Sequence, residues 1–374
     1  MQTRAAVLRQ MSLPGPYAVS RPLSVETVQL APPGPGEVQV AVKAAGLCHS
    51  DLSTVNGDRP RPMPMVLGHE AAGVVEALGE GVDDLQIGDH VVMVFIPSCG
   101  HCLSCSGGRP ALCEPAAAAN VAGVLDTGGV RLSNADGPIL HHLGVSAFAE
   151  RAVVSRHSLI RIDRELPFVE AALFGCAVLT GVGAVMNTAR VAPGSSVAVV
   201  GLGGVGLAAL LGARAAGAKQ IVAVDLSPDK LELARELGAT AAVDGRDPDC
   251  VEQVRTVTSG GAAYAFEMAG SVRALDSAVQ MTRRGGLTVT AGLPPPTAAL
   301  PVNIVKLVVE ERTLKGSYMG SCVPERDIPR FIALYRSGAL PVDRLLTGRL
   351  KLDEINEGFD RLSDGSAVRQ VIEF

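Results

Sequence analysis

"SSVAVVGLGGVGLAALLGARAAGAKQIVAVDLSPDKLELARELGA", residues 195–239, decides the fold. Val197 to Val200 form an unbroken apolar run, as a strand buried on both faces requires. Gly201, Gly203 and Gly206 follow as G-x-G-x-x-G and lead into an Ala/Leu-rich helix. A second β run, "QIVAV", ends at Asp225, nineteen residues beyond Gly206. Strand, tight turn, helix, strand and acidic residue in this order predict a dinucleotide-binding unit. Gly201 allows the turn, Gly203 admits a pyrophosphate, and Gly206 lets helix pack on strand. Gly204 and Val205 open that helix, whose free N–H groups and partial positive charge favour phosphate. Asp225 suits a ribose diol, and Leu226 and Ser227 offer no arginine to a 2′-phosphate. NAD is therefore expected over NADP.

The alternation continues outward. Ser227 and Pro228 read as the N-cap and first turn of a helix through Leu237, closed by Gly238. "AAYAFEMAG" and "GLTVTAGLP" read as strands, with a helix over "SVRALDSAVQMT" between them. Repeated βα units predict a doubly wound parallel sheet over residues 178–320. Residues 1–177 differ, with short β runs, many Gly and Pro, and almost no helical periodicity. That first domain is expected to recover residues 321–374.

Composition sets the class. The chain has 374 residues, enough for two cores, and is 47% hydrophobic and 19% charged. A net charge of −5 predicts neither a nucleic-acid nor a membrane partner. "MQTRAAVLRQMSLPGPY" lacks the apolar core and cleavage site of a secretory signal, so a cytoplasmic location is expected. In that compartment clustered cysteines bind metal more often than they pair.

Four of the eight cysteines fall in "SCGHCLSCSGGRPALC", residues 98–113. Cys99-x2-Cys102-x2-Cys105-x7-Cys113 gathers four thiolates, with Gly100, Gly107 and Gly108 allowing tight turns. This is the donor set of a closed structural zinc site, in a lobe over about residues 97–115. Iron–sulfur runs are usually spaced differently and followed by proline. Upstream, "GLCHSD" and "VLGHEAAGVV" supply Cys48, His69 and Glu70, and "AALFGCAVLTGVGAV" supplies Cys176 among small residues. Two cysteines, one histidine and an open position make a catalytic zinc set, the one alcohol dehydrogenase uses.

Taken together, "GHEAAGVV", the four-cysteine lobe, "GLGGVG" with Asp225, and the closing "SAVRQVIEF" resemble the zinc-dependent medium-chain alcohol dehydrogenases over essentially the whole chain. The segment "NVAGVLDTGGVRLSNADGPILHHLGVSAFAE" resembles the longer, mostly dimeric subgroup. The resemblance implies a GroES-like, mainly β catalytic domain beside a Rossmann domain, two zinc ions per chain, NAD, and a homodimer. It implies a small alcohol or aldehyde as substrate, exchanged by hydride transfer. Ser50 matches the family's proton-relay hydroxyl, Asp51 a carboxylate orienting His69, and Glu70 a group behind the metal. His49 and Arg369 match basic residues near the pyrophosphate, and Lys230 joins the cofactor set. Phe95, His142, Leu293 and Met319 match the substrate pocket. One departure stands out: Ser53 occupies the position where many relatives end the relay with histidine. A thiol-adduct formaldehyde dehydrogenase is the competing enzyme, since "CHSD" resembles that branch too. "Cys113-Glu114-Pro115-Ala116" lacks that branch's anion-holding arginine. Polyol dehydrogenases usually take a different third zinc ligand, and zinc-free quinone reductases lack the metal. A silent NAD-binding protein is the alternative of another class.

Overall fold

The structure, a computed structural model, describes all 374 residues. The chain divides into two units, Met1–Cys176 with Val323–Pro329 and Leu346–Phe374, and Ala177–Cys322 with Arg330–Leu345.

The first unit is built on two β assemblies. Strands Gln2–Leu8, Leu23–Leu30, Leu132–Asn134, Gly137–His141 and Met65–Val66 close into a barrel. A second sheet has Glu37–Gly46 at its centre, flanked by Ala71–Leu78 and by the C-terminal strand Gln370–Glu373. Ile372 pairs with Ala45 there, so the chain's last strand completes a sheet whose first strand is Glu37–Gly46. Glu37–Gly46 is buried along nearly all its length, so its sequence does not alternate. Gly73 sits where a Cβ would come within 2.2 Å of the Ala41 carbonyl oxygen, which only glycine tolerates. Glu37 itself is wholly buried, and Arg131 Nε donates to it at 2.6 Å. The unit also carries short helices, among them His49–Val55, Glu114–Ala122 and Phe168–Leu173. At six to nine residues these are too short to display a 3.6-residue period, so the sequence pattern hid them.

The second unit is a six-stranded parallel sheet. Its order is Ala241–Asp244, Gln220–Asp225, Ser196–Val200, Ala262–Glu267, Thr282–Thr290, Thr313–Gly316. In order of appearance these strands run 3-2-1-4-5-6, the doubly wound arrangement. Helix Gly204–Ala215 follows the first strand, and Pro228–Leu237 the second. The Ser227 side chain accepts from Lys230 N, and Gly238 closes the helix at φ +112°. Residues 330–345, read with the first domain in the sequence, pack in this unit. Val342 and Leu345 are buried, and Arg344 pairs with Glu236 at 3.2 Å. No helix is long and apolar enough to cross a membrane.

Candidate active site

The four lobe cysteines converge, their sulfurs all within 4.8 Å of one another. All are free thiols, and Cys99 Sγ stands 4.0 Å from Cys105 Sγ, far beyond a disulfide bond. Cys102 N donates to Cys99 Sγ and Cys99 N to Cys113 Sγ, each at 3.3 Å. Backbone N–H groups of Cys105 and Glu114 pull the Cys102 thiol down to about 6. Burial pushes Cys105 up to about 12. Four sulfurs this close cannot all ionise beside one another without a cation, and a tetrahedral zinc ion fits the set.

The second cluster is assembled from three segments. Cys48 caps helix His49–Val55, His69 precedes strand Ala71–Leu78, and Cys176 follows helix Phe168–Leu173. Their ligand atoms lie within 4.8 Å of one another, and all three residues are buried. Asp51, fully buried in the first turn of the helix, braces them. It accepts from Cys48 N at 3.3 Å and Gly68 N at 3.1 Å, and it meets His69 Nδ1 at 3.1 Å. Burial works against the Asp51 carboxylate, but the His69 charge and contacts from His142 and His69 hold it at about 2. With Nδ1 turned to Asp51, His69 keeps Nε2 for the cysteine side. Two thiols, an imidazole and its carboxylate are the chemistry of a three-ligand zinc site.

Glu70 and Arg369 lie behind this set. Arg369 Nη2 is 3.3 Å from Glu70 Oε2, and its Nη1 donates to Leu47 O at 2.9 Å. Arg369 is only 3% exposed, so the pair is a buried one. A Cβ on Gly46 would strike Glu70, so glycine makes room for it. Phe95 stands edge-on to His69 at 5.5 Å. His142, matched above to the substrate pocket, is 2% exposed and approaches Asp51 Oδ1 at 3.1 Å, so it shares that carboxylate with His69. Ser50 is half-buried and His49 exposed at the start of the helix. Ser53 donates to His49 O at 2.8 Å.

In the second unit Gly201 adopts φ +90°, and a Cβ on Gly206 would collide with the Gly201 carbonyl. Nothing lies within 4 Å of a Cβ on Gly203, which leaves open space beside the helix start. Asp225 Oδ2 accepts from Leu202 N at 2.6 Å and Oδ1 from Ser227 N at 2.9 Å, so the carboxylate also braces the turn. Val205 and Lys230 are half-buried on the helices after the two strands. Leu293 is 50% exposed, whereas Met319 is 2% exposed. Sequence reasoning missed Glu267, whose Oε1 accepts from Ala269 N at 2.8 Å and Gly270 N at 2.6 Å. Its Oε2 accepts from Thr290 Oγ1 at 2.7 Å, which ties two strand ends together. An acidic residue ahead of "MAGS" at a strand end was the available signal. A separate cavity of 540 Å³ in this unit, bordered by Glu252, Arg255, Asp276 and Lys306, holds none of these groups.

A parallel-sheet nucleotide unit, a buried Cys–His–Cys set and a four-cysteine lobe define a zinc-dependent oxidoreductase. Residues 34–164 match the alcohol dehydrogenase GroES-like domain, and residues 204–337 match the zinc-binding dehydrogenase family. The chain is 38% identical over 364 residues to alcohol dehydrogenase class-3 of Drosophila melanogaster, covering 96% of each. An alcohol dehydrogenase zinc-binding domain protein from Burkholderia ambifaria superposes with a TM-score of 0.93 at 36% identity, over 100% of this chain and 99% of that one. Benzyl alcohol dehydrogenase from Acinetobacter calcoaceticus gives 0.93 at 32%, with the same coverage. The chain belongs to the zinc-dependent medium-chain alcohol dehydrogenase family.

Proposed function

We propose that this protein oxidises primary or secondary alcohols, aliphatic or aromatic, to aldehydes or ketones with NAD, and runs the reverse reduction. The buried Cys48–His69–Cys176 set, braced by Asp51, carries the reading. When bound there, zinc supplies Lewis acidity toward an alcohol oxygen. The lobe cysteines would hold a second, structural ion.

The chain's own groups do the rest. Asp51 fixes the His69 tautomer, and the buried Arg369–Glu70 pair sits in the field of the two thiols. Phe95 keeps water from the His69 side. Ser50 takes the alcohol proton. Because Ser53 is turned to the helix backbone, the proton passes from Ser50 toward solvent without a terminal histidine. When a dinucleotide is bound, Asp225 would hold the adenosine ribose, the N–H groups of Gly204 and Val205 would serve the pyrophosphate, and His49 and Lys230 would add positive charge.

Exposed Ile304, Val305, Val308 and Val309, together with the open edge of strand Thr313–Gly316, support a homodimer. A cytoplasmic location goes with the reduced thiols. The class-3 relative favours a second reading, oxidation of a thiol–formaldehyde adduct. One assay separates the two: NAD reduction with a panel of alcohols, and with formaldehyde in the presence and absence of glutathione or mycothiol. Turnover of simple alcohols upholds the first reading, and strict thiol dependence the second. No turnover, with NAD still bound, would leave a silent binding protein.

A further inference from the structure

Residues 58–64, "DRPRPMP", run between the helix that carries Asp51 and the strand that leads to His142. Arg59 N donates to Ser53 O at 2.8 Å at one end, and Leu140 N to Pro64 O at 2.9 Å at the other. Pro60, Pro62 and Pro64 fix φ at alternate positions, so the segment is stiff. Arg61 stands at its centre, half-buried.

The surroundings of Arg61 are unusual for a guanidinium. Its one hydrogen bond goes from Nη1 to Asn120 O at 3.4 Å, a long contact with a neutral acceptor, and no carboxylate pairs with it. Most of its five N–H donors are therefore uncommitted. A chain of contacts leads from it toward the reaction centre. Asn120 Nδ2 donates to Phe95 O at 2.9 Å, and the Phe95 ring lies 5.5 Å from His69. The positive charge is also felt at His142, where burial is the main influence and Arg61 a lesser one in the same direction. A partly desolvated charge without a counter-ion costs free energy that a bound anion recovers. A planar guanidinium fork matches a carboxylate in two-point contact.

We infer that Arg61 is a specificity-determining residue that holds a carboxylate carried by the substrate, so that the preferred alcohols are hydroxy acids with the two groups at opposite ends. The inference rests on the dehydrogenase reading above for the alcohol end, and on Arg61 for the other.

The zinc-loaded enzyme with NAD is assayed on ω-hydroxycarboxylates of increasing length and on the matching n-alkanols, with 4-(hydroxymethyl)benzoate against benzyl alcohol as the aromatic pair. Wild type is expected to favour the acid at one length. Arg61→Gln should raise KM for that acid roughly ten- to a hundredfold with kcat little changed, the size expected for a lost charged hydrogen bond. The alkanol should be unaffected, and Arg61→Lys should keep part of the preference. An equal effect on acid and alkanol, a change confined to KM for NAD, or no preference in wild type overturns the inference. If wild type oxidises nothing, the dehydrogenase reading has failed, and calorimetric titration with 4-(hydroxymethyl)benzoate decides the anion site. Saturable binding lost in Arg61→Gln upholds it; no binding, or equal binding in both, overturns it.

Discussion

The two metal-ligating clusters both rest on cysteine thiols, four in one and two beside an imidazole in the other, and they differ most in how they are built. The lobe draws its four sulfurs from fifteen consecutive residues, Cys99 to Cys113, and three of the four are half-exposed. The other set draws its ligands from positions 48, 69 and 176, all buried, and surrounds them with Asp51, Glu70, Arg369, His142 and Phe95. A closed set that only has to hold an ion needs little support beyond its own turns. An open set must keep its ligands in place while one position exchanges, so other side chains must orient them.

Breaking one ligand in each cluster tests this contrast most sharply. Cys176→Ala should abolish activity and remove one of the two zinc ions proposed per chain, with thermal stability nearly kept. Metal analysis and melting temperature check it; full turnover with both ions bound would remove Cys176 from the reaction. Cys102→Ser should also leave one ion per chain, but lower the melting temperature while the remaining folded enzyme keeps its kcat. An equally heat-stable variant would deny the lobe a structural role.

The same contrast explains what could be read in advance. Contiguous patterns were legible: the lobe spacing, and the strand–glycine–helix–Asp225 order that gave a parallel sheet. Cys48, His69 and Cys176 were legible only jointly and through family resemblance, because contacts across more than a hundred residues leave no local period. The partners of those ligands were less visible still. Nothing in the sequence says that His142 reaches the same carboxylate as His69, or that the charge of Arg61 is felt at His142. That residues 330–345 go with the second unit was not legible either, because buried residues such as Val342 and Leu345 mark an apolar face without saying which core receives it.

Asp51→Asn sharpens the comparison by leaving every ligand in place. The amide can still accept from Gly68 N, but it loses the charge that favours proton placement on His69 Nδ1. Loss of such an outer partner weakens metal affinity or activity roughly ten- to a hundredfold. A competition titration with a chelator should show the weaker ion at the buried set only. Unchanged retention would mean that the backbone alone positions His69.

Asp225→Gly moves the test to the cofactor. On the proposed NAD reading it removes a charge that would repel a 2′-phosphate and an acceptor for the ribose hydroxyls. NAD binding should weaken by about ten- to a hundredfold, the equivalent of roughly 1.5–3 kcal/mol for a charged hydrogen bond. Full reversal to NADP is not expected, because no arginine at 226 or 227 receives the phosphate, and Leu202 N and Ser227 N lose their acceptor. The ratio of kcat/KM for the two cofactors is the readout. Wild-type preference for NADP, or a ratio that does not move, would remove Asp225 as the discriminator.

Ser53→Ala should have the smallest effect. Its hydroxyl donates to His49 O one turn back, an intrahelical bond at a half-exposed position. A serine bonded this way adds little to helix stability, and alanine is the better helix former by a few tenths of a kcal/mol. If the proton leaves from Ser50 directly toward solvent, the substitution should leave kcat/KM and its pH profile unchanged. Ser50→Ala, by contrast, removes the first proton acceptor and should lower kcat/KM at neutral pH. Measuring both profiles on one alcohol with saturating NAD separates the two serines. A shifted profile in Ser53→Ala would show that Ser53 carries the proton after all, and that the histidine of other family members has been replaced by a hydroxyl with the same task.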